Sequence, residues 1–101
     1  MPSLPPQSAQ DEMISAADAS LRDSLAAVLG LAPDRVAGFD DATLLFGALP
    51  EIDSMAVATL LTDFEDRLGI VIDDDDVDAE SFETFGALRA FLVRKLAARQ
   101  G

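Results

Sequence analysis

The sequence predicts an all-α fold: a small bundle of three main helices and one short helix, with a long loop between the first two. Three observations carry that prediction. Apolar residues recur at helical spacing in three separate stretches. The one alternating run, GIVID at 69–73, is too short to make a sheet without a partner strand. Gly, Pro and small polar residues mark the boundaries between the periodic stretches. At 101 residues, half of them apolar, the chain has the size of one domain and enough apolar surface for a core.

Residues 1–11, rich in Pro, Ser and Gln, are expected to form a flexible tail before a domain spanning 12–98, with 99–101 as a C-terminal tail. From about Glu12 to Leu29 the pattern is helical, with Leu21, Leu25, Val28 and Leu29 on one stripe. Gly30 and Pro33 then read as a stop. Residues 30–52 form a long connection in which Leu44, Leu45, Phe46 and Leu49 must pack on something, and a loop of that length is often functional. The second helix carries Val57, Leu60, Leu61, Phe64 and Leu68 on a single face, with Gly69 as its C-terminal stop. A short helical turn is expected near 78–83, capped by Asp78 with Phe82 turned inward. The last helix should run from Phe85 to Ala98 behind Thr84, burying Leu88, Phe91, Leu92 and Leu96. Leu60, Leu61 and Phe64 are expected to face Leu88, Phe91 and Leu92, with Leu25, Val28 and Leu29 closing the bundle.

The charge excludes more than it assigns. Nineteen acids against seven bases leave a formal net charge of −12, which argues against binding nucleic acid or anionic membrane. Fourteen of the acids lie between residues 40 and 87, where Arg67 is the one base, so mutual repulsion is expected there. No apolar run approaches the ~18 residues of a membrane span, and no basic region with an apolar signal core opens the chain. The absence of Cys rules out a disulfide framework and thiol chemistry from the chain itself. A cytoplasmic, monomeric, free-standing protein is the expectation.

The chemistry turns on LPEIDSMAVATLL, residues 49–61, where Asp53 and Ser54 precede the second helix. A serine nucleophile needs an adjacent base, but the chain has no His and its single Lys, Lys95, lies far along the last helix. Self-contained serine catalysis is excluded. Asp73, Asp74, Asp75, Asp76 and Asp78 invite a calcium reading. However, starting an EF-hand loop at Asp74 puts Ala79 and Phe85 where Gly and Glu are required, so only loose cation binding is expected there. On these residues alone, Asp53 reads as a helix cap and Ser54 as the first helical residue with its hydroxyl in water.

The long apolar-rich loop, the Asp53-Ser54-Met55 tripeptide and the helix ending in DFEDRLGI are followed by an acidic connection and a basic-ended helix. Together these resemble the acyl carrier proteins, the phosphopantetheine-binding carriers, over roughly residues 12–98. The family's usual core motif is Asp-Ser-Leu, and Met is near Leu in volume. The resemblance implies an acyl-carrier-like four-helix bundle that is not an enzyme. It implies a 4′-phosphopantetheine arm from coenzyme A, attached to Ser54 by a separate magnesium-dependent phosphopantetheinyl transferase, with Asp53 and Met55 flanking the attachment point. Acyl groups would ride on the arm as thioesters. Glu51, Asp63, Glu65 and Asp66 would dock on basic patches of acyl-loading and acyl-using enzymes of a lipid or specialised biosynthetic pathway. The imported thiol and externally activated serine match the missing Cys and His.

The sequence departs from the housekeeping fatty-acid carriers in one way. Where they place acids in the first turns of this helix, the chain has Ala56 and Thr59, which argues against a housekeeping role, and its LPEIDSMAV pattern resembles specialised stand-alone carriers. The alternative is an acidic helical interaction module, or a calcium-responsive protein, without a prosthetic group.

Overall fold

Two prolines start the first helix, where their fixed φ suits a first turn and their missing N–H costs nothing. This helix, α1, spans Pro5–Leu29 in the computed structural model, which describes residues 5–100. It therefore runs through most of the segment expected to be tail; residues 1–4 and Gly101 lie outside the described residues. Within α1, Gln10, Asp11 and Glu12 are exposed.

A short helix that periodicity did not show, α2 (Pro33–Ala37), interrupts the long connection. Pro33 begins it instead of only ending α1, since Ala32 is extended and Pro occupies the first turn. Helix α3 (Ser54–Leu68) and helix α4 (Phe85–Gln100) complete the bundle, joined by two 3₁₀ turns at Asp74–Asp76 and Glu80–Phe82. The caps are the expected ones. Gly69 takes the left-handed conformation (φ 63°) that closes α3. Asp78 accepts the N–H of Ser81 at 2.8 Å, and the Thr84 hydroxyl accepts that of Ala87 at 3.1 Å.

The packing corrects the expected arrangement. α1 is the spine of the bundle and lies along both α3 and α4, which have no comparable contact with each other. Leu21 and Leu25 of α1, Leu60 and Phe64 of α3, and Phe85, Leu88 and Leu92 of α4 are fully buried. Leu61, Val28 and Leu29, expected at the centre, are only half-buried. α1 comes close through small residues: Ala17 and Ser24 are both buried, and the Ser24 hydroxyl donates to Asp63 on α3. Asp63 accepts a second bond from Arg67 Nε at 2.6 Å.

The long connection is tied down by polar groups. Arg22 of α1 donates to the carbonyls of Val36 (2.7 Å) and Phe39 (3.1 Å) and pairs with Asp18 at 2.8 Å; its guanidinium stacks 4.6 Å from the Phe85 ring centroid. Arg89 of α4 joins Asp18 and Asp41. Further along, Leu45 N–H donates to Glu83 O (2.9 Å), Phe46 N–H to Phe82 O (3.0 Å) and Phe85 N–H to Thr43 O (2.9 Å). Gly86 is required at the start of α4, because a Cβ there would meet Asp41 Cβ at 2.9 Å.

The expected repulsion among the 14 acids of residues 40–87 is partly offset, because the fold brings bases to them from elsewhere. Arg35 meets Glu51, Arg89 meets Asp41, and Lys95 meets Asp76 at 2.7 Å.

Two half-buried carboxylates, Asp18 and Asp63, make stability depend on acid. Burial opposes ionisation of Asp18, but its hydrogen bonds with Arg22 and Arg89, aided by their charges, outweigh it and hold the carboxyl below its ordinary value of 3.8. At Asp63 burial is likewise outweighed, by Ser24 and Arg67. A folded value below the unfolded one gives stability that is complete well above pH ~4 and is lost as pH falls through the folded value. Asp63→Asn should therefore lower the melting temperature at pH 7 and flatten its decline between about pH 5 and pH 2. Melting curves that stay parallel to wild type across that range would show that Asp63 carries no such linkage.

Candidate functional site

The end of the long connection is shaped to deliver Ser54 to the surface. Leu45 is fully buried, and a turn closes on it, with Ala48 and Leu49 N–H donating to Leu45 O at 3.1 and 2.9 Å. Gly47 takes φ 89° to make that turn. Ile52 is buried, and Arg35 of α2 reaches Glu51 at 3.2 Å. Glu51 is held below the usual carboxylate range by its own backbone N–H and by Arg35. Asp53 is extended (φ −114°, ψ −174°) and its Oδ1 accepts the N–H of Ala56 at 2.8 Å, while Val57 N–H donates to Asp53 O at 2.9 Å. This leaves Ser54 as the first residue of α3, exposed.

Helix geometry leaves the N–H groups of Ser54 and Met55 without intrahelical acceptors, at the positive end of the α3 dipole. A phosphodiester on the Ser54 oxygen would find both beside it, so the residues present fit an arm attached there. One turn further on, Val57 lines an open cavity of about 250 Å³ together with Phe46, Val77, Asp78, Ala79 and Phe82. Its lining suits an apolar chain. A larger groove of about 440 Å³ between α1 and α2 is lined by Ala26, Leu31, Pro33 and Val36 among others. It contains no nucleophile, and its one base, Arg22, is already engaged.

The structure gathers some of the sequence-predicted residues and disperses others. Asp53, Ser54 and Met55 share the first turn of α3, with Met55 80% exposed. The acids expected to dock partners are mostly occupied within the fold. Asp63 turns to Ser24 and Arg67, Glu65 accepts Ile72 N–H at 2.7 Å, and Glu51 pairs with Arg35. Asp66 is exposed and, among the described residues, makes no such bond. In the acidic run, Asp76 accepts from Lys95 and from Asp73 N–H, and Asp78 caps the second 3₁₀ turn. Among the described residues no group of three carboxylates is placed to hold a metal ion. Sequence reasoning missed Arg35 and the residues that form the cavity. The signal for the latter was present in Phe46, an aromatic inside a Gly-punctuated loop, and it remains 45% exposed.

Residues 19–92 match the family model described as "phosphopantetheine attachment site". The chain is also similar to a holo acyl carrier protein from Nitrosomonas europaea with a solution NMR structure. The two share 37% identity and a TM-score of 0.72, over 80% of this chain and 95% of that one. No curated protein sequence matches.

The Asp53 cap sets the geometry of the site, so removing it should show in stability. Asp53→Ala should cost about 1 kcal/mol in chemical denaturation, and Asp53→Asn much less, because Asn keeps the accepting oxygen. Equal losses for the two would mean that the charge of Asp53, not its bond to Ala56, is what matters.

Proposed function

The chain belongs to the phosphopantetheine-binding acyl carrier family, and from that premise we propose that Ser54 is the residue to which its 4′-phosphopantetheine is attached. Carriers of this family hold the arm covalently and are not enzymes; the arm supplies a terminal thiol on which acyl groups are carried as thioesters. The observation that supports Ser54 is its hydroxyl, exposed at the head of α3 behind the Asp53 cap and inside the matched region.

The chain's own residues have limited tasks. Asp53 fixes the first turn, Ser54 presents its oxygen, and the free N–H groups of Ser54 and Met55 stand ready for phosphate oxygens. The base that takes the Ser54 proton comes from the phosphopantetheinyl transferase, since the chain has no His and Lys95 is paired with Asp76. The apolar cavity behind Val57 suits the hydrocarbon part of a cargo.

The reading extends to partners: a phosphopantetheinyl transferase, then enzymes that load and use acyl groups, in a lipid or specialised biosynthetic pathway. The uncharged run Ser54–Thr62 favours a specialised carrier over a housekeeping one. We take the carrier to be a monomer of the cytoplasm; no helix among the described residues is long and apolar enough to cross a membrane.

Incubation with coenzyme A, magnesium and a broad-range transferase should raise the intact mass by one arm. Ser54→Ala should abolish the gain while leaving far-UV helicity intact, since an exposed substitution of this kind changes stability by under ~0.5 kcal/mol. Loading of the variant at the wild-type level would overturn the assignment.

A further inference from the structure

The stretch from Pro50 to Asp53 joins the Leu45 turn to α3, and little holds it from outside. The backbone bond of Ile52 N–H goes to Leu49 O just upstream, and the bonds of Asp53 go to Ala56 and Val57 in α3 itself. Among the described residues, two ties reach the rest of the fold. One is the buried Ile52 side chain; the other is the pair between Glu51 Oε2 and Arg35 Nη1 at 3.2 Å. Arg35 is itself well anchored. It neighbours Val36, whose side chain is buried and whose carbonyl accepts from Arg22 of α1 at 2.7 Å. The pair therefore passes the hold of α1 on α2 to a residue three positions before Ser54.

Glu51 has an unusual setting for a surface acid. Its second oxygen, Oε1, is shut off from water; its own backbone N–H favours the charge, but no hydrogen bond reaches that oxygen. It is the one such side-chain atom among the described residues. An oxygen that gives up water without gaining a donor is held at a cost, and a released carboxylate would turn outward to be solvated on both sides. Arg35 opposes that rotation. An exposed ion pair normally contributes little. Here its loss lets Glu51 move, and the stretch leading into Ser54 loses one of its two ties.

We infer that Arg35 is a positioning residue for arm attachment: through Glu51 it fixes the stretch ahead of α3, so that the Ser54 oxygen is presented in one place. The inference rests on the reading of Ser54 as the attachment point. In that reaction the Ser54 oxygen bonds to the pantetheine-bearing phosphorus of coenzyme A and the pyrophosphate bond breaks. Adenosine 3′,5′-bisphosphate leaves with the bonding electrons, and the Ser54 proton goes to the transferase's base. Arg35 takes no part in those bonds. It acts on alignment, where a misplacement of about 1 Å can cost up to roughly a hundredfold in rate.

The test is arm-transfer kinetics with coenzyme A, magnesium and a broad-range transferase on wild type, Arg35→Ala, Glu51→Ala, the double variant and Arg35→Lys. NMR relaxation of the backbone amides is measured on the same chains without the arm. Melting temperatures should change little, because the pair is exposed. Arg35→Ala and Glu51→Ala should each lower kcat about fivefold while KM stays within about twofold. The double variant should lose no more than either single one, because the two residues act through one contact. Arg35→Lys keeps the charge without the planar fork and should recover part of the loss. In the arm-free chains the amides from Glu51 to Met55 should become more mobile in both single variants, with the rest of the bundle unchanged. A raised KM in Arg35→Ala with no matching effect of Glu51→Ala would overturn the inference, by making Arg35 a direct contact of the transferase. Losses that multiply in the double variant, or an unaltered kcat, would overturn it too. Failure of the wild-type chain to accept an arm would instead overturn the reading of Ser54, and the amide mobility would still report on the pair.

Discussion

A connection of more than twenty residues, with neither sheet nor long helix to satisfy its backbone, has to be held still if the residue at its end is to be presented reliably. Arg22 does much of that work. Its guanidinium takes the carbonyls of Val36 and Phe39, is neutralised by Asp18 and rests on Phe85. One side chain of α1 thereby joins the connection to α1 itself and to the start of α4. Arg89 repeats the device from α4, sharing Asp18 and adding Asp41. The planar, five-donor group of arginine is suited to this, because a lysine could not bond two carbonyls and a carboxylate while lying flat on a ring. The half-buried position of these ion pairs makes them more than decoration on a solvated surface.

The same anchoring explains the division between rigid and exposed parts. Upstream of α3, Leu45 and Ile52 are buried and Glu51 is tethered, yet Ser54 and Met55 stand out in water. A carrier needs that combination, since its attachment point must be accessible to several enzymes while the fold beneath stays fixed. It needs no internal base and no thiol, and the composition has neither His nor Cys. Part of the acidic character serves the fold: Asp18, Asp63, Asp76 and Asp78 are each used as hydrogen-bond acceptors within the chain.

Much of this was legible in the sequence wherever the signal is local. The start and end of α3 follow from Asp53 and Gly69, its inner face from Leu60, Phe64 and Leu68, and the later caps from Asp78 and Thr84. Local signals failed where one residue type has two meanings. Pro33 ends one helix and begins another, and the apolar-poor stretch after Pro5 has no periodicity to reveal the helix it forms. Long-range pairings were not legible at all. α1 became the spine because Ala17 and Ser24 let α3 and α4 approach, and small residues do not register in a count of large apolar ones. Nor could composition show that Asp63 is bonded by a serine 39 positions away.

Locating the arm decides whether this fold serves to expose the Ser54 hydroxyl for modification. Tandem mass spectrometry of the loaded, proteolysed chain should find the phosphopantetheine mass on the peptide containing Ser54, with fragment ions placing it on that residue. An arm found instead on another serine or threonine, such as Thr59 or Ser81, would contradict the account.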